Sequence, residues 1–315
     1  MELSLFDLHC DTAYEIYRRG AHLDENDTCH ISLSHAGAYH RYAQFYAIWS
    51  DKRLDDEACW RAFLRISDHW AAEVARSSFP AVCVDSSETL DAAISHGQHA
   101  AILAVEDARL LNGRLERLDE LQARGVCYLT LAWGGDSCIG GAHDTSHGLT
   151  PFGKDVVRGC LERGILPDIS HASLQSTEDI LTIASDYRRP VIASHSNAFG
   201  VWEHSRNLRD HHFHAIQALE GVVGVSLCPS HLCDQSRSQA TAETVFAHFE
   251  HYLALGGENM VGFGADWDGT VLPSSFSHIG HLTAVAEVMA AHNYSDELIH
   301  KLFWRNIHSF AMKNI

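Results

Sequence analysis

The stretch Leu3-Ser4-Leu5-Phe6-Asp7-Leu8-His9-Cys10-Asp11-Thr12 reads as a short buried strand that ends on a histidine and a carboxylate. Side chains at i and i+2 of a strand project to the same side, so His9 and Asp11 can address one ion from the strand's C-terminal end. Imidazole with carboxylate suits zinc or a neighbouring divalent metal. Cys10, between them, faces the other way and is assigned to packing.

The pattern of an apolar run closed by a histidine or an acid recurs along the chain. Further runs at 42–49, 99–106, 126–131, 165–169, 190–193, 222–227 and 260–264 bring the number of predicted strands to eight. Segments with helical spacing separate them, at 13–19, 54–77, 87–96, 115–124, 151–163, 173–185, 210–220 and 241–255, with two more at 279–292 and 295–315. This alternation, with no composition break that would mark a linker, predicts one domain over residues 1–315, an α/β fold of the (β/α)8 TIM-barrel type. A doubly wound open sheet is the alternative. It is disfavoured because no Gly-x-Gly-x-x-Gly turn follows the first strand.

The chain has 315 residues, a net charge of −18 and no cluster of basic residues, which argues against nucleic acid and anionic membrane surfaces as partners. It contains 24 histidines against 23 lysines and arginines together, so only position can separate ligands from surface residues such as His211, His212 and His214. Nine cysteines without Cys-x-x-Cys spacing, among them Cys83, Cys127, Cys160 and Cys228 in apolar surroundings, read as reduced core residues. With no leader-like start and no apolar run of spanning length, the expectation is a cytoplasmic protein.

In a parallel barrel all strand C-termini open on one face, where active sites of that fold sit. His9 and Asp11, Glu106, His171, His195 and Asp266 would then share one mouth. A catalytic ion takes about three protein ligands and keeps an open position, so this set suits two ions better than one. His9 and Asp11 could serve one and His171 and His195 the other. Glu106, with two oxygens, would bridge them, and Asp266 would be free to hydrogen-bond a water between the ions and relay its proton.

The order His9-x-Asp11, Glu106, Gly148-Leu149-Thr150-Pro151-Phe152-Gly153-Lys154, Asp168-Ile169-Ser170-His171, Ser194-His195-Ser196, Arg206-Asn207 and Gly264-Ala265-Asp266-Trp267-Asp268-Gly269 resembles the renal or membrane dipeptidase family of the amidohydrolase superfamily. The resemblance implies a barrel with two zinc ions that hydrolyses dipeptides, including those with a C-terminal D-residue. It assigns His9, Asp11 and Glu106 to one zinc, Glu106, His171 and His195 to the other, and Asp266 to the proton relay. It also gives Arg206 the substrate carboxylate, apt for a guanidinium that binds carboxylate through two parallel hydrogen bonds, and is compatible with a homodimer.

Three departures from the family pattern fall around the substrate. Glu106-Asp107-Ala108-Arg109 replaces Glu-Gly-Gly-His, Ala132-Trp133 stands where a substrate-contacting histidine is usual, and Cys228 takes the place of a tyrosine. Trp133 therefore enters the substrate wall as an indole, with one donor and no charge. Another small-amide or lactone hydrolase, and a non-catalytic metal-binding relative, are the competing readings. None of the chain's four lysines (Lys52, Lys154, Lys301, Lys313) sits at a strand exit, which speaks against a lysine-bridged metal pair.

Overall fold

The computed structural model describes residues 2–233 and 240–315. Its strands are β1 (Leu5–Cys10), β2 (Tyr42–Trp49), β3 (Ala81–Val84), β4 (His99–Glu106), β5 (Val126–Thr130), β6 (Leu166–Asp168), β7 (Val223–Val225) and β8 (Val261–Phe263). All pair in parallel, in the order β6-β5-β4-β2-β1-β8-β7. Residues 190–193, expected as a full strand, form only single bridges, Asp168 to Ile192 and Ala193 to Val223. Those bridges join β6 to β7 and complete the ring. The Ile192 N–H donates to Pro167 O at 3.1 Å, and Gly224 N–H to Ala193 O at 2.8 Å.

β3 lies outside the eightfold count and was not anticipated. It pairs with the first half of β4, at Ala81 to His99 through Val84 to Ile102, on the edge whose second half β5 takes. Being peripheral, it leaves Cys83 exposed, which corrects the core assignment of that residue. All nine cysteines are free.

Helices, from α1 (Thr12–Arg19) through α4 (Arg117–Ala123) and onward, follow the strands with the capping chemistry their sequences carry. The Asp55 side chain accepts from Ala58 N–H ahead of α2 (Asp56–Ala75), and Ser86 and Thr89 form a reciprocal box on α3 (Ser87–Ser95). Thr150 caps α5 (Pro151–Arg163), whose first residue is proline, and Ser173 caps α6 (Leu174–Tyr187). The segment expected as one helix over 279–292 divides into a 3-10 turn, Ile279–Leu282, and a helix, Thr283–Ala291. The last helix is interrupted by a π turn at Lys301–Arg305. Among the described residues no helix is long and apolar enough to cross a membrane.

Glycine is required where the ring closes. A Cβ on Gly264 would lie 1.7 Å from Ser194 O, and one on Gly224 2.1 Å from the same oxygen. The backbone carrying the Ser194-His195 exit can approach β7 and β8 only because these positions have no side chain.

Candidate active site

Each candidate residue leaves its strand at the C-terminal mouth, and three do so on costly backbone. His171, Asp266 and Asp268 have φ of 69°, 65° and 67°. For non-glycine residues such conformations cost on the order of 1–3 kcal/mol each, and they persist where surrounding contacts enforce them. Here the contacts are specific. Asp268 accepts from Thr12 Oγ1 at 2.5 Å and from His30 N–H at 2.6 Å.

Three imidazoles converge, and each is fixed in the same tautomer. The Tyr128 hydroxyl reaches across the barrel to donate to Leu8 O at 3.0 Å, so it accepts from His9 Nδ1 at 2.8 Å. His171 Nδ1 faces the Trp133 carbonyl at 3.0 Å, a group that only accepts. His195 Nδ1 lies 2.7 Å from Ser194 Oγ, whose own proton goes to Asp168 Oδ2 at 2.6 Å. All three Nδ1 atoms therefore carry hydrogen, and all three Nε2 lone pairs point inward.

These lone pairs meet each other and an acid. His171 Nε2 and His195 Nε2 are 2.9 Å apart, and Glu106 Oε1 lies 3.0 and 3.4 Å from them and 3.9 Å from His9 Nε2. Asp11 Oδ2 is 3.6 Å and Asp266 Oδ1 3.9 Å from His9 Nε2. His9 Nε2 and Asp11 Oδ1 are buried with no hydrogen-bond partner. Acceptors pressed together without a proton between them repel, and an orphaned buried lone pair is costly. Cations remove both penalties, so the donor set fits divalent metal.

The titration of the acids and imidazoles points the same way. Burial pushes the Asp266 carboxyl up to about 7; burial, then the charge of Asp11, pushes Glu106 well above the ordinary range, and burial, then the charges of Asp268 and Glu15, does the same to Asp11. Burial, then neighbouring positive groups, pushes His171 and His195 well below theirs. A bound cation favours the carboxylate and the neutral imidazole alike.

All the sequence-predicted site residues gather here. Asp11, Glu106, His171, Asp266, Arg206 and Trp133 line one cavity of about 490 Å³, with His9 and His195 buried beneath it. Arg206 is 5% exposed; its Nη2 makes one long contact of 3.5 Å to His195 O, and its Nε has no partner. The ring of Trp133 packs 5.1 Å from that of Trp49 and 5.8 Å from that of His171, with Lys52 Nζ 5.5 Å over it. Cys228 also lines the cavity. Arg109, in place of the usual histidine, turns away and binds Asp56 Oδ1 at 2.6 Å and Asp51 O at 2.6 Å.

Several supporting residues were not assigned from sequence. Asp168 accepts from Thr130 Oγ1, Ser194 Oγ and the backbone N–H groups of Ser170 and Ser194, at 2.6–3.0 Å. An acid inside an apolar strand run was the available signal. Asp7, pushed up to about 6 by burial, accepts from His9 N–H at 3.0 Å and Ala265 N–H at 3.1 Å, tying β1 to β8. A Cβ on Gly269 would lie 2.2 Å from both Asp11 Oδ2 and Asp266 Oδ1. His143 and His204 also reach the cavity from loops, and His231 from a four-residue helix, segments whose sequence carries no periodic signal. His212, read as a surface residue, is buried and bonds Glu178 at 2.9 Å, which corrects that reading.

The profile of the membrane dipeptidase family, peptidase family M19, matches residues 1–311. The fold is shared over the whole chain with a crystal structure of a metallopeptidase from Rhodobacter sphaeroides liganded with a phosphinate mimic of the dipeptide L-Ala-D-Ala. The TM-score is 0.91 at 23% identity, covering 100% of this chain and 99% of that one. A dipeptidase of metallopeptidase family M19 matches with a TM-score of 0.90 at 25% identity over the same shares. An uncharacterized Klebsiella pneumoniae protein in the pqqA 5′ region is 29% identical over 217 residues, 66% of this chain and 79% of its own. With its barrel, its converging imidazoles and acids, and a family match over nearly every residue, this chain belongs to the membrane dipeptidase family and is a metal-dependent hydrolase.

Proposed function

We propose that the protein hydrolyses the amide bond of dipeptides, including those with a C-terminal D-residue, with two zinc ions held by His9, Asp11, Glu106, His171 and His195. The observation that carries this reading is the convergence of three imidazole lone pairs and an acid on one point, beside a buried, underbonded guanidinium that lines the same cavity. When bound, a pair of divalent cations supplies Lewis acidity and brings the pKa of water toward neutrality.

The chain's own groups do the rest. Arg206 offers parallel donors to the substrate's terminal carboxylate and so fixes which end enters first. Asp266 has a carboxyl pushed up to about 7, so near neutral pH it can accept a proton at Oδ1 and return it to the leaving amine. The tilted pair Trp49 and Trp133 walls the cavity with apolar surface and limits entry of bulk water. The L-Ala-D-Ala mimic bound by the R. sphaeroides enzyme motivates the D-residue arm of the test.

The test is a panel of L,L and L,D dipeptides, with lactones as controls, assayed with zinc, manganese and cobalt in turn. Hydrolysis of dipeptides that disappears in both Glu106→Gln and Asp266→Asn supports the reading. Hydrolysis that survives both substitutions overturns it.

A further inference from the structure

We propose that His143, His204 and His231 form a second anion-binding subsite beside Arg206, selecting dipeptides whose C-terminal residue carries an acidic side chain. This rests on the dipeptidase reading and narrows it to a substrate class.

The three imidazoles come from separate segments, two loops and a four-residue helix, and take no part in the cluster of Nε2 lone pairs. His143 lies in the long connection after β5, His204 two residues before Arg206, and His231 in the short helix Pro229–Leu232 after β7. They meet on one wall of the cavity that Arg206 also lines. The rings of His204 and His231 are 4.8 Å apart and tilted by 40°, and His143 stands edge-on to His171 at 5.9 Å.

The hydrogen bonds at this wall fix His204 as a donor toward the cavity. The backbone N–H of Arg206 donates to His204 Nδ1 at 3.1 Å, which leaves the ring hydrogen on Nε2. His143 is anchored through Nδ1 to Ser205 Oγ at 3.0 Å. Burial first, and then the nearby Arg206 guanidinium, holds the His204 ring below its ordinary value and the His231 ring well below it. A neutral ring still offers one N–H.

Counting donors against acceptors shows the surplus. A guanidinium has five N–H groups, and among the described residues Arg206 uses one of them, weakly. The Nε2–H of His204 adds to the remainder. One carboxylate has only about four lone-pair sites and cannot satisfy them all. A second carboxylate on the same substrate residue supplies the missing acceptors. Asp144, the acid nearest this wall in sequence, is already engaged with Gly135 N–H at 2.8 Å. Asp266 and Glu106, the acids whose charge Arg206 feels most, are committed to the imidazole cluster, 3.9 Å from His9 Nε2 and 3.0 Å from His171 Nε2.

The experiment compares kcat/KM of the zinc-loaded enzyme for Ala-Glu, Ala-Gln, Ala-Asp, Ala-Asn and Ala-Ala, each in L,L and L,D forms. The subsite predicts that an acidic C-terminal residue is preferred over its neutral amide by about tenfold or more, chiefly in KM, because a site built of buried donors rejects ligands that leave them unpaired. The same ratio should fall toward one in His231→Phe and in His204→Phe, with His231→Gln, which keeps an N–H, retaining part of it. If Gln and Asn match Glu and Asp in the wild type, the subsite is overturned while the dipeptidase reading stands. A wild-type preference unmoved by all three variants also overturns the assignment to these histidines. If no dipeptide is hydrolysed, the dipeptidase reading falls and the subsite with it.

Discussion

Asp168 orders His195 without touching it: the Ser194 hydroxyl donates to Asp168 Oδ2 at 2.6 Å and sits 2.7 Å from His195 Nδ1. The acid thereby consumes the one proton Ser194 has, and the serine oxygen can only accept from the ring. Asp168→Asn should break this relay with little change in volume. Partners of this kind are worth about 10–100-fold in metal affinity or activity. Competition with a zinc chelator measures the loss, and an unchanged affinity would show that the tautomer is set elsewhere.

Gly269 packs its backbone against two acids at once. A methyl group there would lie 2.2 Å from Asp11 Oδ2 and Asp266 Oδ1, so Gly269→Ala must displace both carboxylates. Residue 269 is exposed, so the fold should hold. Displacement of catalytic groups by about 1 Å costs on the order of 100-fold. The expected result is a fall of that size in kcat/KM with an unchanged melting temperature.

Arg206 should govern substrate capture. Arg206→Lys keeps the charge and loses the planar fork, so KM should rise by about tenfold or more while kcat falls less. Steady-state kinetics on any hydrolysed dipeptide separates the two parameters. A pure loss of kcat would place the arginine's work in the chemical step instead.

Two buried histidines outside the cavity lining tie stability to pH. His99 Nδ1 faces Tyr42 O at 3.1 Å and its Nε2 accepts from the Tyr46 hydroxyl at 2.9 Å. His248 Nδ1 accepts from Ala198 N–H at 3.0 Å while Nε2 faces Leu232 O at 3.0 Å. Burial pushes both down to about 4. The unfolded chain takes up a proton near pH 6.5, whereas the folded chain resists until about pH 4. The stability these rings contribute is therefore complete above 6.5 and is lost as pH falls toward 4, by about 3 kcal/mol each. Asp7, pushed up to about 6, works in the opposite sense, so the informative quantity is a difference. The unfolding free energy of wild type minus that of His99→Gln, from urea titrations at pH 7.5 and 4.5, should shrink at the lower pH.

Much of this architecture can be read directly from residue order. Strands β2 and β4 coincide with apolar runs closed by Trp49 and Glu106, and α5 starts at the Thr150-Pro151 pair and stops before Gly164, because capping and burial are local signals. The convergence of His9, Glu106, His171, His195 and Asp266 follows from one topological fact, that parallel strands end on one face. Residues 190–193 failed as a regular strand because ring closure there needs only single bridges between twisted neighbours. β3 was missed because its pairing with β4 is tertiary and its four residues carry little alternation. His143 and His204 lie in loops and His231 in a four-residue helix, where neither period nor run length marks a side chain. Their neighbours in space are distant in sequence.

The most direct test of the metal-centred account is metal content by inductively coupled plasma mass spectrometry, paired with dipeptide turnover before and after chelation. The account predicts about two zinc ions per chain, turnover that vanishes on chelation and returns with added zinc, and loss of bound metal in Glu106→Gln. Metal-free protein that still hydrolyses dipeptides at the untreated rate would contradict it.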